Sequence, residues 1–417
     1  MSSFPADWDK HILDELLEDN FNITYGVVQP GDEAPNGVKF IRGGDFPKGK
    51  IEENKLRTIS KDISESYKRT VLNGGELLVA LVGYPGTVAV VPRSLRGANI
   101  ARQTALIRLA PKYLNTYVKY FLESDFGQGE ILRGSLGSAQ QVINLKDLKL
   151  VQVYTPKIDE QKKIAEFLTS VDKVIELTEI EIEKLQNLKK GMMQDLLSKG
   201  IGHSTTIESA VGPVPKSWSI EVLSDLVLKG RKITYGIVQP GSYDERGVLL
   251  VRGQDYISGW AEAGEVFKVS VEIEKKFERA RLNVGDVVIC IAGAGVGAVN
   301  VVPMRFNGAN ITQTTARVSC DEKKILGKYL YYYLQEGTGL KQIQKYIKGS
   351  AQPGLNLNDV EKFLIKVPPL AEQSSIVKAL DSVELKVENT KVLLAKYQSL
   401  KKALMQDLLT GRVRVKV

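Results

Sequence analysis

The sequence predicts an α+β protein built twice: two similar globular units separated by two long helices that form an antiparallel coiled coil, with an internal two-fold pseudo-symmetry. Three observations carry this. An apolar seam with heptad spacing runs through the middle of the chain. The same seam returns 212 residues later with the same flanks. Nearly everything between the seams also occurs twice.

The first seam consists of Ile164, Leu168, Val171, Ile175, Thr178, Ile182 and Leu185, at alternating steps of four and three. That spacing keeps one stripe of a helix against a second helix along its length. Pro156 stands just before it, where the chain is not yet helical, and Gly200 stands where a helix commonly stops. About 40 residues at roughly 1.5 Å each make a rod of about 60 Å. The second seam is Ile376, Leu380, Val383, Val387, Thr390, Leu394 and Tyr397. Its one polar step, Thr390, matches Thr178, and Pro368 and Glu372-Gln373 match Pro156 and Glu160-Gln161. Any helical bundle carries apolar stripes, but here phase, flanks and polar step repeat together.

The globular parts repeat as well. ITYGVVQPG at 23–31 returns as ITYGIVQPG at 233–241, and Arg42, Gly43 and Asp45 return as Arg252, Gly253 and Asp255. LNGGELLVALVG at 72–83 matches LNVGDVVICIAG at 282–293; GANI and GSAQ segments also recur. Residues 77–82 and 287–292 follow Asn-containing turns and read as buried strands. Residues 113–123 and 328–335 have helical spacing, and 148–154 and 363–367 read as a last strand before each proline. The Ser-, Thr-, Gly- and Pro-rich stretch at 202–216 reads as a linker. If the second unit has its ends close together, the second helix must run back along the first, hence antiparallel.

At 417 residues the chain has room for several cores, and 43% hydrophobic with 25% charged residues is an ordinary globular balance. A net charge of +8 makes a polyanionic partner plausible. Two cysteines exclude a disulfide framework or a cysteine zinc site. The N-terminus lacks a basic-then-apolar signal, and the longest apolar run, 287–304, is broken by glycines, so a cytoplasmic protein without a membrane span is expected.

Catalytic patterns are weak. Residues 44–50 have P-loop spacing, but Ile51 stands where the Mg²⁺-binding hydroxyl belongs, and the second copy lacks the pattern. The glycines at 293, 295 and 297 fit a turn between strands better than a dinucleotide fingerprint. His11 and His203 have no ligand-like company. The chain therefore reads as a binder that holds no metal or cofactor. Repeated polar residues in loop-like settings are the candidate DNA contacts: Arg42, Asn99, Gln103, Ser138 and Gln140, with Arg252, Asn310, Thr314, Ser350 and Gln352. Arg pairs bidentately with guanine and Asn or Gln with adenine, while hydroxyls position phosphates. Each also has a purely structural alternative, such as Arg42 bonding Asp45.

The order of unit, helix, unit, helix resembles the DNA-specificity subunits of type I restriction-modification systems, over essentially the full chain. The most specific parts are the junctions TPKIDEQKKIAEFLTSVD and VPPLAEQSSIVKALDSV, the GSAQ…NL…D segments, and Val214-Pro-Lys-Ser-Trp218. Thr155-Pro156-Lys157 replaces a double proline at the first junction. The resemblance implies a non-catalytic subunit. Residues 1–157 and 218–368 would be target recognition domains, 158–200 and 369–417 conserved helices, and 201–217 a linker. Each domain would read half of a bipartite double-stranded DNA site. The helix pair would act as a ruler and dock two modification (methyltransferase) subunits and, where present, restriction subunits. S-adenosylmethionine and ATP/Mg would then belong to those partners. The shared ITYG and VQPG segments suggest related half-sites in inverted orientation. Two rival readings are a coiled-coil scaffold presenting two protein-binding domains, without selective DNA binding, and a self-sufficient enzyme, whose motifs are missing.

Overall fold

The computed structural model describes residues 4–133, 142–293, 295–349 and 353–416. It divides into two compact units, Met1–Glu179 with Val392–Val417, and Ile180–Lys391. The division cuts through both long helices, so each unit owns half of each. That differs from the expected split into domains and separate helices, because the helix faces are part of the domain cores.

In the first unit the strands are β1 (Asp9–Ile12), β2 (Thr24–Tyr25), β3 (Val38–Ile41), β4 (Arg57–Ile59), β5 (Leu77–Ala80), β6 (Val88–Val90), β7 (Asn99–Ile100), β8 (Thr104–Ile107) and β9 (Gln152–Thr155). The helices are α1 (Lys61–Ser66), α2 (Asn115–Glu123), α3 (Asp125–Leu132), α4 (Leu145–Lys149) and α5 (Ile158–Leu196). An antiparallel sheet has the order β2-β8-β5-β6, a second sheet β4-β3-β7 contains the parallel pair β3/β7, and β1 pairs with β9. Central strand β5 is buried on both faces, since alternate side chains point to opposite sides. Leu77 and Val79 join one core with Tyr117, Val118 and Phe121 of α2, while Leu78 and Ala80 join another with Ile41 and Phe46. The expected strand at 148–154 begins only at Gln152. Before it, Leu150 donates its N–H to the Asp147 carbonyl and closes a helical turn that buries Leu148.

The second unit repeats this plan with β12 (Ser219–Val222) through β20 (Leu364–Val367). With β13 (Thr234–Tyr235), β16 (Val287–Cys290), β17 (Val299–Val301) and β19 (Thr315–Val318), the order β13-β19-β16-β17 and the pairing β12/β20 correspond element by element; its short helices are α6 (Val271–Lys275), α7 (Gly327–Gln335), α8 (Gly337–Tyr346) and α9 (Leu357–Glu361). Its central strand β16 (Val287–Cys290) again divides its side chains between two cores. In the stretch expected as a linker, β10 (Thr206–Ile207) pairs with β11 (Val214–Pro215) as a small antiparallel ribbon.

The last helix, α10, spans Leu370–Leu409. Within the first unit Ile164 and Leu168, early in α5, share a core with Leu408 and Leu409, late in α10. Within the second unit Met193 and Leu197, at and just beyond the end of α5, share a core with Ile376 and Leu380. In each unit the two helical segments therefore run antiparallel. All fourteen seam positions are buried or half-buried. Thr178 and Thr390 satisfy their hydroxyls by donating to the carbonyls of Val174 and Lys386 one turn back.

The Glu-Gln pair of each junction has a local explanation. Gln161 accepts from the Leu114 N–H and donates to the Pro156 carbonyl; Gln373 does the same with Leu326 and Pro368. Each buried amide pins the start of a long helix to its own domain. The Glu then captures the segment that follows the other long helix. Glu372 takes the Ile201 N–H, His203 and the Trp218 indole, while Glu160 takes the Arg414 guanidinium, which also grips Asp7.

Candidate nucleic-acid interface

Several residues nominated from sequence are consumed by the fold. Asn99 and Asn310 are fully buried. Asn99 accepts from the Thr70 hydroxyl and the Ile100 N–H and donates to Ser64; Asn310 donates to Glu274 and the Phe277 carbonyl. They hold the start of β7 and β18 (Asn310–Ile311) and cannot reach a base, which corrects the sequence-based expectation. Arg42 and Arg252 lie at the surface, but each is clamped by the aspartate three residues on. The Arg42 Nη2 to Asp45 Oδ1 distance is 2.8 Å, and Arg252 meets Asp255 at 3.3 Å. The Asp45 carboxylate pushes the Arg42 guanidinium pKa above its ordinary value. Each aspartate takes the Nε–H and one Nη2–H of its arginine, two of five guanidinium donors, and neutralises its charge. Gln103 is exposed, and Thr314 shares a hydroxyl bond with Thr312. Ser138, Gln140, Ser350 and Gln352 lie outside the described residues.

A better-formed surface surrounds the repeated ITYG-VQPG segments. β2 pairs with β8, and the chain then crosses so close to β7 that a Cβ on Gly26 would lie 1.8 Å from the Ile100 carbonyl oxygen. Gly236 has the same relation to Ile311, at 1.7 Å. Only glycine fits these crossings. The crossing buries Val27 and Ile237 as anchors and leaves their neighbours outside: Tyr25, Val28, Tyr235 and Val238 are 39–43% exposed. The backbone N–H of Arg102 closes onto the Val27 carbonyl and that of Gln313 onto Ile237, both at 2.9 Å. Arg102 and Gln313 thus occupy the same place in the two units. In the second unit Tyr235, Val238, Gln313 and Lys348 line a cleft of about 610 Å³, and Val238, Gln313 and Arg252 line a neighbouring one of about 440 Å³. Sequence reading noticed this repeated segment without nominating its exposed residues. The available signal was a Gly between Tyr and β-branched residues in both copies.

The helices carry a second site. Tyr120 donates to Asp172 at 2.8 Å, and Lys401 meets the same carboxylate at 2.7 Å. In the second unit Tyr332 donates to Glu384 at 2.6 Å and Lys189 meets it at 2.9 Å. Each lysine also lies 5.6 Å from the tyrosine ring centre. Burial first, and the neighbouring carboxylates as well, push both tyrosine hydroxyls above their ordinary range, so both remain donors. Burial alone would raise Glu384, but Tyr332 and Lys189 hold it below its usual value. Lys189 and Lys401 continue the apolar seam as charged members, so heptad pattern alone missed them. Away from the seam, exposed apolar side chains remain: Phe167, Val174, Val392 and Leu400 in the first unit, Ile180, Leu188 and Leu385 in the second.

Lys50, which ended the P-loop-like spacing, is ion-paired with Glu176, and Ile51 is buried. Among the described residues no cluster of His, Cys, Asp and Glu could hold a metal ion, and no helix is long and apolar enough to cross a membrane.

The family model for the type I restriction-modification DNA specificity domain matches residues 10–187 and 230–396. A putative type I restriction enzyme MjaX specificity subunit of Methanocaldococcus jannaschii is 28% identical, over 100% of this chain and 96% of that protein. The EcoBI specificity subunit of Escherichia coli is 31% identical over 49% of this chain and 43% of its own length. Among solved structures, a chain from work on complex assembly and conformational transition of the type I R-M system matches with a TM-score of 0.61 and 17% identity, covering 99% of this chain and 100% of that one. The type I system S subunit from M. genitalium matches with a TM-score of 0.57 and 17% identity, at 96% coverage of each chain. With two matched regions that together span most of its residues, this chain belongs to the type I restriction-modification DNA-specificity family.

Proposed function

We propose that this chain is the non-catalytic DNA-reading subunit of a type I modification complex. Each unit reads one half of a bipartite duplex site, and the long helices set the gap between the halves. Two modification subunits dock on the chain and supply S-adenosylmethionine-dependent methylation, while a restriction subunit, where present, supplies ATP-dependent cleavage. The observation that carries this reading is the duplicated surface around Tyr25 and Tyr235, held rigidly in both copies beside exposed polar and cationic groups. Arg252, at the cleft shared with Val238, has N–H donors beyond the two that Asp255 takes, and these suit a phosphate whatever the base. The exposed apolar side chains along the helices support a docking role, since stripes of that kind on a helix outside its own seam ordinarily meet a partner.

Two measurements test this. Affinity of the assembled complex for its duplex should fall linearly with log salt, steeply enough to report several phosphate contacts; a flat salt response would favour the protein-binding scaffold. Phe167→Asp with Leu188→Asp, one change per unit, should abolish co-purification with the modification subunits. As surface changes they should alter the stability of the chain by only about 0.5 kcal/mol each. Undiminished assembly would remove this face from the docking surface.

A further inference from the structure

Arg102 and Gln313 hold one position in two nearly identical frames. The ITYG-VQPG segments differ only at Val27 versus Ile237, and both of those are buried. The backbone of residue 102 or 313 is bonded to that anchor at the same 2.9 Å. Both crossings are fixed by a glycine that admits no side chain. Both positions follow directly on the β7 or β18 segment whose buried Asn99 or Asn310 is saturated. The frame is therefore stiff, and it presents a different exposed side chain at this position in each unit. Among the described residues neither the Arg102 guanidinium nor the Gln313 amide has a side-chain hydrogen bond or ion pair, in contrast to clamped Arg42 and Arg252. Gln313 lines both clefts beside Tyr235 or Val238.

Free planar groups of these two kinds have different partners in a major groove. A guanidinium fits the O6 and N7 of guanine bidentately, and a carboxamide fits the N6 and N7 of adenine. An exposed valine beside them suits a thymine methyl, and an exposed tyrosine hydroxyl suits a phosphate. We propose that the two half-sites share the step met by the Tyr-Val element and differ at the adjoining base pair, where Arg102 reads guanine and Gln313 reads adenine. This rests on the DNA-reading role proposed above.

The test uses the full chain with its modification subunits and maps methylated motifs. If the wild-type complex methylates no bipartite motif, the DNA-reading role itself fails. Given such a motif, Arg102→Gln should convert one guanine of one half-site to adenine, and Gln313→Arg should do the reverse in the other half. The change in preference should be about 10- to 100-fold, as expected for one bidentate contact. An unchanged motif methylated at the wild-type level overturns the assignment and leaves the role standing. Should Arg102→Gln prove inactive, competition binding with Arg102→Ala decides. Loss of selectivity at a single position supports base reading, whereas uniform weakening across all sequences marks a phosphate contact and overturns it.

Discussion

Alanine at Gly26 is expected to lower the stability of the first unit by about 3 kcal/mol or more. The added Cβ would lie 1.8 Å from the Ile100 carbonyl oxygen and 2.4 Å from its carbon, both backbone atoms that cannot turn aside. The bond from the Val27 N–H to the Ile100 carbonyl would have to open, and with it the placement of Tyr25 and Val28. For a unit of this size the loss corresponds to a fall in melting temperature of roughly 6–12 °C. Gly236→Ala should do the same to the second unit, where the contact is 1.7 Å. Gly44→Ala is the matched control, because a Cβ there meets nothing within 4 Å. Thermal unfolding of the three variants checks this, and equal stability of Gly26→Ala and Gly44→Ala would refute the rigid crossing.

Reversing the charge of the seam lysines should have the second-largest effect. Lys401→Glu places a carboxylate against half-buried Asp172, and Lys189→Glu does so against Glu384. Each reversal should cost about 2–3 kcal/mol, part from the lost pair and part from repulsion. Lys401→Met should cost less, because it turns a charged seam position into an apolar one while Tyr120 still donates to Asp172. Combining Lys401→Glu with Asp172→Lys should recover at least half of the loss, as a double-mutant cycle on directly contacting residues requires. No recovery would mean that the pair does not fix the register of the helices. The second unit adds a pH signature. Since Glu384 is held below its ordinary carboxylate value of 4.5, its contribution is complete above that pH and is lost as pH falls below it. Glu384→Gln should flatten that acid limb.

Much of the architecture was legible because it depends on apolar periodicity. The seams at Ile164–Leu185 and Ile376–Tyr397, and the two-faced strands at Leu77 and Val287, are patterns of burial that sequence displays directly. Polar residues are less legible, since the same side chain serves a fold or a ligand according to what lies within 3 Å. Asn99 reads as a loop residue but is the buried brace of β7; Arg42 reads either as a base contact or as a partner of Asp45, and only the fold shows that it bonds Asp45. Lys189 and Lys401 lie one step past the apolar seams, and only the tyrosine and carboxylate brought from elsewhere in the chain explain them. Arg102 and Gln313 drew no notice, because nothing in the sequence reveals that their backbone is bonded to the Val27 and Ile237 anchors.

The central claim is that this chain chooses the DNA sequence on which a methyltransferase acts. The most direct measurement is a map of N6-methyladenine in cells with and without the chain, its modification subunits left intact. One two-part motif with a fixed gap should lose methylation when the chain is removed. An unchanged map, with the methyltransferase expressed and active, would contradict it.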